Sequence, residues 1–162
     1  MNLDLGVDDP RVDDVRALLG RHLAFSRGTT PAEYAFALDV EQLVDAALTF
    51  FSARKDGRLL GVAALKRLDA DHAELKSMHT SEAERGRGVG RALVEHILTF
   101  ARAQGYRRVS LETGTGDDFV SARTLYTKVG FMPCEAFGTY QASPYNTFMT
   151  ISLVPGSEPP PA

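Results

Sequence analysis

The chain has 162 residues, 44% hydrophobic and 24% charged, which suits one globular domain with its own core. Its net charge of −3 argues against a nucleic-acid surface spread over the whole molecule, and its single cysteine, Cys134, rules out an internal disulfide framework. No apolar run approaches the roughly 18 residues of a membrane span, and no basic-then-apolar leader opens the chain, so a cytoplasmic protein is expected.

Leu3, Leu5 and Val7 alternate with polar residues, which predicts a short strand over 2–7. Asp8-Asp9-Pro10 offers an N-cap and a proline for the first helical position. Val12, Val15, Leu18, Leu19 and Leu23 then mark one face of a helix ending before Gly28. Residues 32–45 read as one or two short helical turns. Strands are expected over 48–54 and 58–68, joined by the hairpin dipeptide Asp56-Gly57, and a third runs over 73–80. A helical pattern starts at Arg91, with Val89, Leu93, Ile97, Phe100 and Ala101 forming its apolar stripe up to Gly105. A strand over 107–113 follows, then a helix capped by Asp117 or Asp118, burying Ala122, Leu125 and Val129 and closed by Gly130. The last strand patterns cover 131–137 and 147–153. The proline-rich 155–162 reads as a disordered tail. No repeat or linker divides the rest, so one α+β domain over 1–154 is expected, a meander followed by β-α-β-α-β.

The stretch Arg85-Gly86-Arg87-Gly88-Val89-Gly90-Arg91 stands between a strand and a helix start. Glycines permit positive φ and close approach of a ligand to the main chain. The first N–H groups of a helix lack intrahelical partners and carry the positive end of its dipole. Phosphate or pyrophosphate is the natural guest, with Arg85, Arg87 and Arg91 adding charge. The plainer alternative is a basic turn on a solvated surface. A Walker A loop would need Gly-Lys-Ser/Thr, and a Rossmann fingerprint counted from Gly86 and Gly88 would need Gly or Ala where Arg91 stands.

Two stretches together resemble the signatures of the GNAT N-acetyltransferase superfamily. Arg85-Gly86-Arg87-Gly88-Val89-Gly90 is similar to its Gln/Arg-x-x-Gly-x-Gly/Ala loop, and Leu125-Tyr126-Thr127-Lys128-Val129-Gly130-Phe131 to its Leu-Tyr-x-x-x-Gly-Phe helix end. The likeness covers about 48–153. It implies α/β/α layers around a mixed sheet of about six or seven strands with about four helices, and acetyl-CoA as co-substrate without a metal. It further implies that the pantetheine arm pairs with the backbone of Met78, His79 and Thr80 as an added strand, and that the pyrophosphate sits on 85–91. Where the family often has an asparagine contacting that arm, this chain has Phe119, so Thr113, Gly114 or the Ser121 hydroxyl would have to substitute.

Acetyl transfer to an amine requires loss of a proton from the ammonium, donors for the oxyanion and a proton for the departing thiolate. The resemblance makes Tyr126 the acid and a backbone N–H near Met78 or His79 the oxyanion donor; a core tyrosine with a bonded hydroxyl is the alternative for Tyr126. Glu74 matches the catalytic glutamate of some members, eleven residues before Arg85. Strand alternation puts it on the face of Lys76, Met78 and Thr80, where it is either a base or a surface glutamate paired with Lys76. Glu112 is the second candidate base, with a solvated strand terminus as the plainer reading; His79 as relay, and water, stay open. Cys134 reads as a small core residue, and the histidines show no metal-ligand spacing.

The family's acceptor pocket is built from the first helical region, the loop before the last strand and, in a homodimer, contacts with the partner. Here those regions carry Tyr34, Phe36, Tyr140, Tyr145, Asn146 and Phe148, lining residues or loop anchors. They favour a small-molecule or amino-acid-like amine over a protein amine. A non-catalytic acyl-CoA sensor is the alternative function; nucleic-acid binding by one short basic loop on an acidic chain is not expected.

Overall fold

The alternating patterns become seven strands in one sheet, ordered β1-β2-β3-β4-β5-β7-β6. The computed structural model describes residues 3–20 and 46–154. The strands are β1 (Asp4–Val7), β2 (Leu48–Lys55), β3 (Arg58–Arg67), β4 (His72–Thr80), β5 (Arg108–Gly114), β6 (Met132–Cys134) and β7 (Asn146–Ser152). Helix α1 covers 13–20 up to the edge of the described segment, α2 spans Val89–Ala103 and α3 Val120–Val129. The short helices expected over 32–45, with Tyr34 and Phe36, and the tail over 155–162 lie outside the described residues.

β1 to β4 form an antiparallel meander. The β2–β3 hairpin turns on Asp56 and Gly57, both at positive φ (52° and 81°), a turn whose twist matches that of the strands it joins. β4 pairs β5 in parallel, and β7 inserts antiparallel between β5 and the edge strand β6. On one side of the sheet Phe51, Leu65, Leu75 and Leu111 pack with Leu93, Ile97, Tyr126 and Phe131. On the other, Phe50, Val62 and Ala64 pack with Val15, Leu18 and Leu19 of α1. Each such large apolar side chain contributes about 1.5–3 kcal/mol on full burial.

Several element ends differ from expectation. Pro10 lies in a turn, and Asp9 accepts the Arg11 backbone N–H at 2.9 Å, so Asp9 shapes that turn and the helix starts at residue 13. Helix α2 begins at Val89, two residues before Arg91, because Gly88 serves as its N-cap in the left-handed region. A 3-10 turn, Asp117–Phe119, precedes α3, whose N-cap is Phe119 with no side-chain cap hydrogen bond. Of the strand expected over 131–137 only Met132–Cys134 pairs, at the sheet edge, where Pro133 is tolerated.

Two irregularities in β4 position the site. Ala64 pairs Lys76 and Val62 pairs His79, so Ala63 alone opposes both Ser77 and Met78, a β-bulge with Ser77 at φ 56°. Pairing with β5 ends at Leu75↔Leu111; beyond it β4 continues to Thr80 and β5 to Gly114 without pairing each other. The bulge corrects the face assignment made from alternation. Glu74 and Lys76 share the α1 side with Lys66 and Ala64, their β3 partners. Past Ser77 the phase inverts: His79 joins the α1 side opposite Val62, whereas Met78 packs with Ala73 and Leu75 on the α2 side. Thr80 Oγ1 also faces α2, 3.6 Å from where a Cβ on Gly90 would lie.

Candidate active site

The glycine loop lies at the end of the gap between β4 and β5. After Thr80 the chain makes a 3-10 turn, Glu82–Glu84, and then the exposed loop Arg85-Gly86-Arg87-Gly88 feeds α2. The three glycines have separate reasons. Gly86 (φ 78°) and Gly88 (φ 86°) take a conformation L-residues rarely adopt, whereas Gly90 lets α2 approach α3, a Cβ there meeting Leu125 Cδ2 at 3.1 Å. The first intrahelical bond runs from the Ala92 N–H to the Gly88 carbonyl, 3.0 Å, which leaves the N–H groups of Val89, Gly90 and Arg91 ahead of the ladder. Glu84, almost fully buried, anchors the loop from below through Arg58 at 3.1 Å and Arg87 at 3.8 Å, and Arg91 pairs Glu95 at 2.9 Å.

These residues fit an acyl-CoA. The run of β4 unpaired with β5 leaves main-chain groups open to an extended chain, and the start of a fifteen-residue helix offers N–H groups of the kind that hold phosphate.

Tyr126 is buried in the core on the α2 side, its ring edge-on to Phe131 at 5.7 Å, and burial pushes its phenol above the ordinary value. Among the described residues no hydrogen bond ties its hydroxyl to a protein acceptor.

Across the sheet, on the α1 side, a polar cluster lies beside the gap. Glu74 is 3% exposed, which corrects the reading of it as a surface strand residue. Its Oε2 accepts the Lys76 ammonium at 3.1 Å and the Tyr140 hydroxyl at 2.5 Å, while Lys76 Nζ donates to Tyr140 Oη at 2.7 Å. Lys76 also sits over the Tyr140 ring, 5.3 Å from its centroid. Glu112 shares this face, since β5 alternates and Leu111 points the other way into the core. It is no solvated strand terminus. Burial pushes its carboxyl up to about 7, with Lys76 pulling it down and Glu74 pushing it further up. Phe137, Tyr140 and Phe148 wall the cluster with ring contacts of 5.4–5.7 Å.

Comparison with known proteins decides what this geometry belongs to. The family model described as Acetyltransferase (GNAT) family matches residues 13–131. The chain belongs to the GNAT acetyltransferase family. Over 153 residues it is 39% identical to an uncharacterized N-acetyltransferase, YedL, of Escherichia coli, covering 94% of this chain and 96% of that one. It is 32% identical over 151 residues to an IAA acetyltransferase of Azospirillum brasilense, covering 91% and 96%. Its fold matches that of an aminoglycoside 6'-N-acetyltransferase complexed with coenzyme A, with a TM-score of 0.70 at 16% identity over 96% of this chain and 99% of the other. It is a GNAT-type N-acetyltransferase with acetyl-CoA as its co-substrate.

In this GNAT chain Phe119 stands where the family's asparagine was expected, and its ring lies against the end of β5. A Cβ on Gly114 would fall 2.3 Å from Phe119 Cδ2, so glycine is required there. The Gly114 carbonyl is already taken by Arg123 Nη1 at 2.6 Å, Thr113 is buried, and Ser121 is exposed at the start of α3. Cys134 is partly buried on the edge strand. Sequence spacing named Lys76 only as a partner for Glu74, and Tyr140 as an acceptor-pocket lining residue or a loop anchor, without joining the two. Their meeting follows from the loop folding back over β4, for which the sequence carries no local signal.

Proposed function

We propose that this enzyme acetylates the primary amine of a small, amino-acid-like acceptor that reaches the gap from the α1 side. The observation that carries this reading is the pairing of an acyl-CoA groove with a part-buried acidic cluster on the opposite face of the same strand ends. A carboxyl pushed up to about 7 suits a base for an ammonium at neutral pH. We therefore assign the base to Glu112, and the positioning of Lys76 and Tyr140 to Glu74, whose Oε2 already takes two donors. The enclosed aromatic wall favours a small acceptor over a protein chain, and the Azospirillum relative is named for IAA rather than for a protein.

Acetyl-CoA supplies the acyl carbon as a thioester. Glu112 removes a proton from the acceptor ammonium; the nitrogen forms a C–N bond as the C–S bond breaks. An N–H of β4 at the bulge, near Met78 or His79, receives the oxyanion charge, the Tyr126 hydroxyl gives its proton to the leaving sulfur, and the second proton lost from the nitrogen restores the Tyr126 phenol. The pyrophosphate rests on the N–H groups from Gly88 to Arg91 with Arg85 and Arg87 alongside. A single unpaired cysteine and this co-substrate suit a cytoplasmic enzyme.

A CoA-release screen over amines, amino acids, aminoglycosides and peptides tests the reading, beside thermal shifts with CoA, ATP and NAD. Release with peptides alone would replace the small acceptor by a protein amine. Stabilisation by CoA without release from any amine would leave a sensor.

A further inference from the structure

Among the described residues, two buried side-chain polar atoms lack a hydrogen-bond partner, Ser77 Oγ and Asn146 Nδ2. Ser77 is on β4 and Asn146 on β7, the two strands that flank β5, and both lie at the gap end of the sheet. Elsewhere on the same face buried polar groups are matched: Ser110 bonds His72 at 2.6 Å and Thr150 at 2.8 Å. An unpaired buried donor costs stability, and in a native structure it calls for an explanation such as a missing ligand.

Asn146 is 5% exposed and pairs Gly114 at the end of β5. Two residues before Phe148 on β7, it shares the face of Phe148 and of Glu112, which pairs Phe148. Its amide oxygen is engaged by its neighbour Ser143. Ser143 Oγ accepts the Tyr145 N–H at 3.2 Å and gives its only proton to Asn146 Oδ1 at 2.7 Å. Nδ2, with two N–H groups, is the end left over. Asn146 is the diagonal neighbour of Glu112 across this ladder, a separation of about 7–8 Å. At that spacing one small molecule carrying an amine and an oxygen on adjacent carbons can meet both side chains.

We propose that Asn146 Nδ2 binds an oxygen next to the reactive amine, so the acceptor is an α-amino acid or an α-aminoacyl compound rather than a simple amine. This rests on the acetyl-transfer reading above, with Glu112 on the ammonium and Asn146 on the neighbouring carboxylate or carbonyl. Asn146 is thus a specificity-determining residue.

The test compares matched triples in a CoA-release assay: an L-amino acid, its α-amide and its decarboxylated amine, for both aromatic and aliphatic side chains. The wild-type enzyme should favour the acid or the amide by about tenfold or more in kcat/KM, the worth of roughly one good hydrogen bond. Asn146→Leu should erase that preference by raising KM for the oxygen-bearing members about tenfold more than for the simple amine. Asn146→Asp keeps the shape and should lose the free acid more than the amide, because two carboxylates then face each other. Preference for the acid over the amide in the wild type identifies a free amino acid; equality identifies an aminoacyl carbonyl. A wild-type enzyme that uses the simple amine as well as the acid, or variants that lose all three members equally, would overturn the role of Asn146 alone. No release with any amine would overturn the acetyl-transfer reading together with it.

Discussion

The Tyr140 hydroxyl donates to Glu74 Oε2 at 2.5 Å, tying the loop before β7 to β4 across 66 residues of sequence. Lys76 closes the triangle with both, and the clasp holds Phe137 and Tyr140 as a wall over Glu112. Removing one corner leaves a buried charge with one donor fewer, which links the geometry to measurable changes.

Tyr140→Phe keeps the ring and removes the clasp. A hydrogen bond to a buried charge contributes about 1.5–3 kcal/mol. We expect a lower melting temperature and an acceptor KM raised about tenfold or more, with CoA affinity unchanged in calorimetry. A variant with wild-type KM would reduce the clasp to loop packing.

The pH dependence of rate and stability should run in opposite directions through Glu112. As a base it works ionised, so kcat/KM should rise along a limb centred near pH 7. Its folded value stands above the ordinary 4.5, so between about pH 4.5 and 7 the unfolded chain ionises first and stability falls as pH rises. Glu112→Gln should flatten both profiles and lower kcat by about 10²–10⁴-fold. An unchanged rate limb in that variant would move the base elsewhere.

Tyr126→Phe removes a hydroxyl that no protein acceptor among the described residues holds, so the fold should lose little. Turnover should drop by about 10²-fold or more while acetyl-CoA affinity persists, the pattern expected for loss of a general acid. Equal turnover in steady-state assays would take the acid role from Tyr126.

Gly88→Ala and Gly90→Ala should separate the two duties of the loop. Position 88 has φ 86°, which costs an L-residue about 1–2 kcal/mol and distorts the N–H groups offered to phosphate. CoA affinity and melting temperature should both fall. At position 90 the added Cβ meets the end of the Leu125 side chain at 3.1 Å and Thr80 Oγ1 at an ordinary 3.6 Å, so the melting temperature should change less. The reverse order would make the close packing at Gly90, rather than the positive φ at Gly88, the tighter constraint on the loop.

What the residues determined by themselves was local. Asp56-Gly57 dictates its hairpin because few other pairs accept two positive φ angles. The loop at 85–91 and the Tyr126–Phe131 helix end were legible for the same reason, since glycine positions and short spacings act within a few residues. The face of Met78 and Thr80 was not legible. A period of two contains no mark of the bulge at Ser77, which lies where β4 stays paired with β3 on one edge and has parted from β5 on the other. Nor could spacing show that Glu74 is buried, that Glu112 faces Lys76, or that Asn146 carries a free donor. Those depend on strands and a loop far apart in sequence, brought together only when the sheet closes. The chain alone named the acyl donor; the pairing of β4, β5 and β7 decided which side chains gather beside the gap.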